Sequence, residues 1–176
     1  MPEDLQVLVF LDGFNETIKE DFIGPRVTTL HFFDILKPLE PKKSIPSTVK
    51  NIYFENGFNQ PLSSDVVPDS VKEIHFFDIK STLTQESFSK SSKLNTVYLE
   101  NGFGQVLEDG ILPPTSTIRI NNISQPLSKG SIPDGTEYVV FENGYSHEIV
   151  EGVVPSTTVQ LVFKDIKKPL VQGSIP

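Results

Sequence analysis

Apolar residues recur along this chain in a short alternating pattern at a nearly fixed interval. Ile/Val-Pro dipeptides mark the interval at Ile45-Pro46, Val67-Pro68, Ile132-Pro133, Val154-Pro155 and Ile175-Pro176, and apolar side chains follow the Pro at places three, six and eight. The same rule places eight units, starting at Pro2, Gly24, Pro46, Pro68, Ser91, Leu112, Pro133 and Pro155, between 21 and 23 residues apart. Place six is aliphatic throughout: Leu8, Leu30, Ile52, Ile74, Val97, Ile118, Val139 and Leu161. Place eight is Phe10, Phe32, Phe54, Phe76, Leu99, Ile120, Phe141 and Phe163. Varied residues stand between them, so each unit predicts one short, half-buried strand with a period of two.

The units alternate in kind just after the strand. Odd units carry Asp12-Gly13-Phe14, Asn56-Gly57-Phe58, Asn101-Gly102-Phe103 and Asn143-Gly144-Tyr145, whereas even units carry Asp34-Ile35, Asp78-Ile79, Asn122-Ile123 and Asp165-Ile166. An Asx side chain can accept backbone N–H groups as the chain leaves the strand, and Gly tolerates positive φ, so both are turn chemistry. The full period is about 44 residues. A β-propeller blade has a similar period but needs four strands, and only two strand patterns fit each period here.

A 22-residue unit cannot bury its own apolar stripe, so the units must stack. The order L-x-x-L-x-L followed by an Asx turn resembles the leucine-rich repeat. Phe58-Asn59-Gln60-Pro61-Leu62 followed by Val67-Pro68, with Phe14-Asn15, Gln125-Pro126-Leu127 and Lys168-Pro169-Leu170 elsewhere, resembles more narrowly the FNIP repeat, a leucine-rich-repeat variant. The resemblance runs over essentially the whole chain and implies a viral or amoebal origin. The Phe-Asn pair is intact only in the first and third units, so a family role for that Asn does not extend to the others. The expected fold is mainly β: residues 1–176 as one solenoid domain of about eight units, a parallel sheet on the concave face, and extended or turn segments on the convex face. One helical turn or short helix is expected on the convex side at residues 85–90, where Glu86 to Leu94 resembles the F-x-x-C-x-x-L subclass with Ser91 in the Cys place.

Composition narrows the chemistry. Ala is absent while Pro and Gly number 14 and 11, which disfavours long helices. A net charge of −8 argues against nucleic acid and against anionic membranes as partners. There is no Cys, hence no disulfide, thiolate metal site or cysteine nucleophile. No secretory signal and no long apolar span stands out, which leads to an expectation of an intracellular, cytoplasmic protein. Gly102-Phe103-Gly104 lacks the rest of a dinucleotide fingerprint, and no nucleophile elbow, HExxH or P-loop occurs. The expectation is therefore no catalysis, no cofactor and no metal site.

Places five, seven and nine should face away from the core. There His31, Phe33, Tyr53, His75, Phe77 and Tyr98 form an aromatic patch over four strands, bordered by Glu55 and Glu100. Aromatic side chains outside a core suit protein interfaces, because they cover large area with few torsions; cross-strand stacking alone is the plainer reading. His31 and His75 sit two strands apart, too far to share a zinc ion, but imidazole changes charge near neutrality and each lies close to a Glu. His147 is expected to be a solvated loop side chain. The patch points to an unknown protein partner; glycan or small-ligand binding on the same aromatics is the alternative. Self-association through the solenoid ends is the second interaction the pattern leaves open. Place three changes from aliphatic to Thr115, Thr136 and Thr158 in the last units, which predicts a less stable C-terminal half.

Overall fold

The computed structural model describes residues 3–89 and 93–176. Eight strands form one parallel sheet whose order follows the chain: β1 (Val7–Phe10), β2 (Thr29–Phe32), β3 (Asn51–Phe54), β4 (Glu73–Phe76), β5 (Thr96–Leu99), β6 (Thr117–Ile120), β7 (Tyr138–Asn143) and β8 (Gln160–Asp165). Each residue pairs with its equivalent one coil on, as in Leu30↔Ile52, His31↔Tyr53 and Phe32↔Phe54. The chain is a β-solenoid. Sequence periodicity and strand register coincide because every coil consumes nearly the same length of chain before it returns to the sheet.

The alternation decides which face is buried. Places six and eight are buried from β2 through β7, and Phe32, Phe54 and Phe76 are fully enclosed. Their rings stack across the strands at centroid distances of 5.9 and 5.5 Å. Burial of one such side chain is worth ~1.5–3 kcal/mol, which is what a single coil cannot obtain alone. The aromatic residue after the Asx-Gly corner turns inward as well: Phe58, Phe103 and Tyr145 are fully buried.

Odd coils grip the even coil that follows. The N–H groups of Gly13, Gly57, Gly102 and Gly144 donate to the carbonyls of Asp34, Asp78, Asn122 and Asp165. At three of these junctions the side chain works in the other direction: Asp12, Asn56 and Asn101 accept the N–H of Asp34, Asp78 and Asn122. The corner therefore closes reciprocally, with Gly57 at a φ of 86° that a side chain would strain.

Among the described residues there is no helix, and where one helical turn or a short helix is expected the chain makes a turn at Gln85 and Glu86. Ser87 Oγ accepts the N–H of Thr84, and Thr84 Oγ1 accepts that of Glu86. These bonds, with the Ser87 N–H on the Thr84 carbonyl, cap a single turn, and the chain does not continue it into a helix among the described residues. Lys90 and Ser91 lie outside the described residues. No described helix is long and apolar enough to cross a membrane.

The outer segments are held by a second column that the hydrophobic pattern does not reveal. Ser44, Ser131 and Ser174 are buried; each Oγ accepts a turn N–H from Glu40, Ser128 or Val171. Each then donates to the odd coil that precedes its own, at Ile18, Leu107 or Ile149 O, over 2.6–2.7 Å. A single hydroxyl thus satisfies two buried backbone groups.

Candidate functional site

The sheet face turned from the core carries all eight residues singled out in the sequence. Strand register brings His31, Tyr53, His75 and Tyr98 into one row, because all four occupy place seven of consecutive coils. Their rings stack nearly parallel, with centroid separations of 4.2, 4.0 and 3.9 Å. Arg119 extends the row, its guanidinium carbon 5.7 Å from the Tyr98 ring centre.

The row is less exposed than the sequence led us to expect. His75 is buried, while His31, Phe33, Tyr53, Glu55, Phe77, Tyr98 and Glu100 are half-buried. The cause is the stack itself: Tyr53 and Tyr98 cover both faces of the His75 ring. Burial, then the charge of Glu73, pushes the Tyr53 and Tyr98 phenols above their ordinary value. Both therefore present neutral hydroxyls at neutral pH.

Two carboxylates are tied to the row from the neighbouring coil. His31 Nδ1 donates to Glu55 Oε1 and His75 Nδ1 donates to Glu100 Oε1, each over 2.7 Å. Glu100 also accepts from Asn121 Nδ2 at 2.7 Å. The bond at Nδ1 sets the tautomer and ring orientation of each imidazole. No cluster of three or more metal-ligating side chains occurs among the described residues. His147, expected in solvent, instead places Nε2 2.9 Å from the Ile123 carbonyl and packs edge-on against Tyr145.

Beyond β5 the same face changes character. A groove of about 440 Å³ lies over β6 to β8, between Arg119, Tyr138, Val140, Val162 and Lys164. Both cations converge on Glu142, Lys164 at 2.5 Å. Sequence reasoning passed over this cluster, although Arg119, Glu142 and Lys164 stand at places seven and nine of consecutive coils.

Parallel strands in chain order, one per coil of about 22 residues, with a buried apolar ladder and an open face, define a leucine-rich-repeat-type solenoid. Residues 36–78 match the model of the FNIP Repeat family, and the chain has the fold of a leucine-rich-repeat-type repeat protein. It is similar in fold to CroV588, described as a novel circular LRR protein, with a TM-score of 0.68 at 19% identity. That likeness covers 100% of this chain and 30% of the CroV588 chain, so the chain spans about a third of the length of the structure it matches. No curated protein matches the chain.

Proposed function

We propose that the chain is a non-catalytic scaffold that binds a protein partner through the open face of β2 to β5. The observation that carries this reading is the stacked row from His31 to Tyr98 with Glu55 and Glu100 fastened along it. The row is pre-organised, so a partner immobilises few additional torsions on docking. Its rim holds Glu55, Glu73 and Glu100 and belongs to a chain of net charge −8, which favours a partner segment carrying Arg or Lys.

Glycan binding on the same aromatics fits less well. A sugar ring stacks on an open aromatic face, and here the faces of Tyr53 and His75 are occupied by neighbouring rings. What reaches solvent is ring edges, hydroxyls and carboxylates, a surface suited to hydrogen bonding with a polypeptide.

The test is affinity capture from cell lysate with the whole chain, a Tyr53→Ala, Phe77→Ala variant, and a Glu55→Lys, Glu100→Lys variant. A basic partner should be lost from both, with circular dichroism reporting that the variants stay folded. Retention of the same partners by both variants would overturn the assignment to this face. A hit on a sugar array abolished by the aromatic variant would favour the glycan reading instead.

A further inference from the structure

From the third coil to the seventh, place nine of the open face carries a carboxylate in every second coil. Glu55, Glu100 and Glu142 stand there, with Phe77 and Asn121 between them. The in-register sheet sets the three carboxylates two strands apart, about 9.6 Å at each step.

One of the three is answered by the chain itself. Arg119 from the coil before and Lys164 from the coil after both pair with Glu142, although that side chain is only 11% exposed. Glu55 and Glu100 are slightly more open, at 14% and 17%, but meet imidazole nitrogens in place of Lys or Arg. Places five, seven and nine of the second to fifth coils hold Glu55, Glu73 and Glu100 and neither Lys nor Arg. The same row contains an acceptor that the chain leaves unmet. His75 gives its Nδ1 proton to Glu100, and the Nε2 of this buried side chain has no partner.

We propose that the partner of this face is a segment in polyproline II conformation, with two Arg or Lys residues three positions apart, lying across β3 to β5. This rests on the reading of the open face as the binding surface. A polyproline II helix has three residues per turn and rises about 3.1 Å per residue, so like-facing side chains recur at about 9.3 Å. An extended strand repeats at about 6.7 Å, and an α-helix brings a side chain back to one face at about 6 or 10.5 Å. Polyproline II comes nearest to the step from Glu55 to Glu100. Its cations would stand at the two carboxylates as Arg119 and Lys164 stand at Glu142, and the residues between them would cover Phe77. Such a segment is largely ordered before it binds, so docking on an already fixed row costs little further ordering.

Fluorescence anisotropy with the whole chain and three labelled peptides of equal charge tests the spacing. They are Pro-Pro-Arg-Pro-Pro-Arg-Pro-Pro, its isomer Pro-Pro-Pro-Arg-Arg-Pro-Pro-Pro, and the flexible Gly-Ser-Arg-Gly-Ser-Arg-Gly-Ser. The first should bind at least about fivefold more tightly than either of the others. Glu55→Gln with Glu100→Gln should abolish that preference. Glu55→Gln alone, which leaves the His75 pair intact, should lower it, and circular dichroism reports folding. Equal affinity for the three peptides, a preference that survives both variants, or no binding of the first peptide overturns the proposal. The lysate capture keeps the two readings apart. Partners lost from both open-face variants while the peptides bind alike would overturn the polyproline II segment and leave the face standing, whereas partners retained by both would overturn the face as well.

Discussion

His75 donates from Nδ1 to Glu100 Oε1 over 2.7 Å while Tyr53 and Tyr98 cover its two ring faces. The imidazole has little access to water, with its side chain 9% exposed, so Glu100 is its means of satisfying that donor. Glu100→Ala should cost about 1–3 kcal/mol, the penalty for a buried donor left without a partner. Glu55→Ala should cost less, because His31 is 25% exposed and can turn to solvent. Urea unfolding of the two variants decides the matter; equal losses would mean that burial of His75 contributes nothing to the pair.

The three threonines at place three are not equivalent. Thr115 Oγ1 donates to the Asn95 carbonyl at 2.8 Å and Thr158 Oγ1 to that of Thr136 at 3.4 Å, but the buried Thr136 hydroxyl has no partner. The expected weakness of the C-terminal half therefore narrows to one residue. Thr136→Val should raise stability by about 1–2 kcal/mol, whereas Thr115→Val should lower it, since only the first removes an unsatisfied hydroxyl. Thermal melts of the two variants should shift in opposite directions.

Ser131 joins a turn N–H to the carbonyl of Leu107 and is almost wholly enclosed. Ser131→Ala should cost about 1–3 kcal/mol by stranding both backbone groups. Hydrogen exchange should quicken at the Ser128 amide first. Unchanged protection there would indicate that water replaces the hydroxyl without loss.

Acid should weaken the C-terminal end of the open face. Burial raises the Glu142 carboxyl, but the hydrogen bond from Lys164 and the charge of Arg119 outweigh it and hold the group below its ordinary value. A depressed native value means that the stabilisation is present above the unfolded value and lost as pH falls through the native one. Glu142→Gln should therefore melt below the parent at pH 7, and the gap should close as pH drops below about 4.5. A gap independent of pH would show that the loss comes from packing rather than charge.

The ladder was legible because place six and place eight repeat without a break in chemistry. Leu30, Ile52 and Ile74 are interchangeable in the core, and a parallel register converts their spacing directly into adjacency. The identity of the open-face row followed from the same arithmetic. Its burial did not, since periodicity assigns a side chain to a face without saying that His75 will be covered by rings from both neighbours. Around residues 85–89 the absence of Pro and Gly points to helix, yet the chain makes only a single turn closed at Thr84 and Ser87, because a lack of helix breakers does not by itself supply the packed face that extends a turn. Ser44, Ser131 and Ser174 had a signal, a Ser ahead of Ile-Pro, but a small polar residue outside the strand leaves no trace in a hydrophobic pattern. His147 escaped for a similar reason: the carbonyl it meets belongs to another coil.

The reciprocal Asx-Gly corner fixes how a body of this kind can change length. Duplicating the stretch that encodes one coil would seat two corners of the same kind against each other, and their donors and acceptors would no longer meet. Duplicating a neighbouring pair reproduces every junction unchanged. Growth and shrinkage of the array are thereby quantised in twos, and relatives of different length should differ by even numbers of coils.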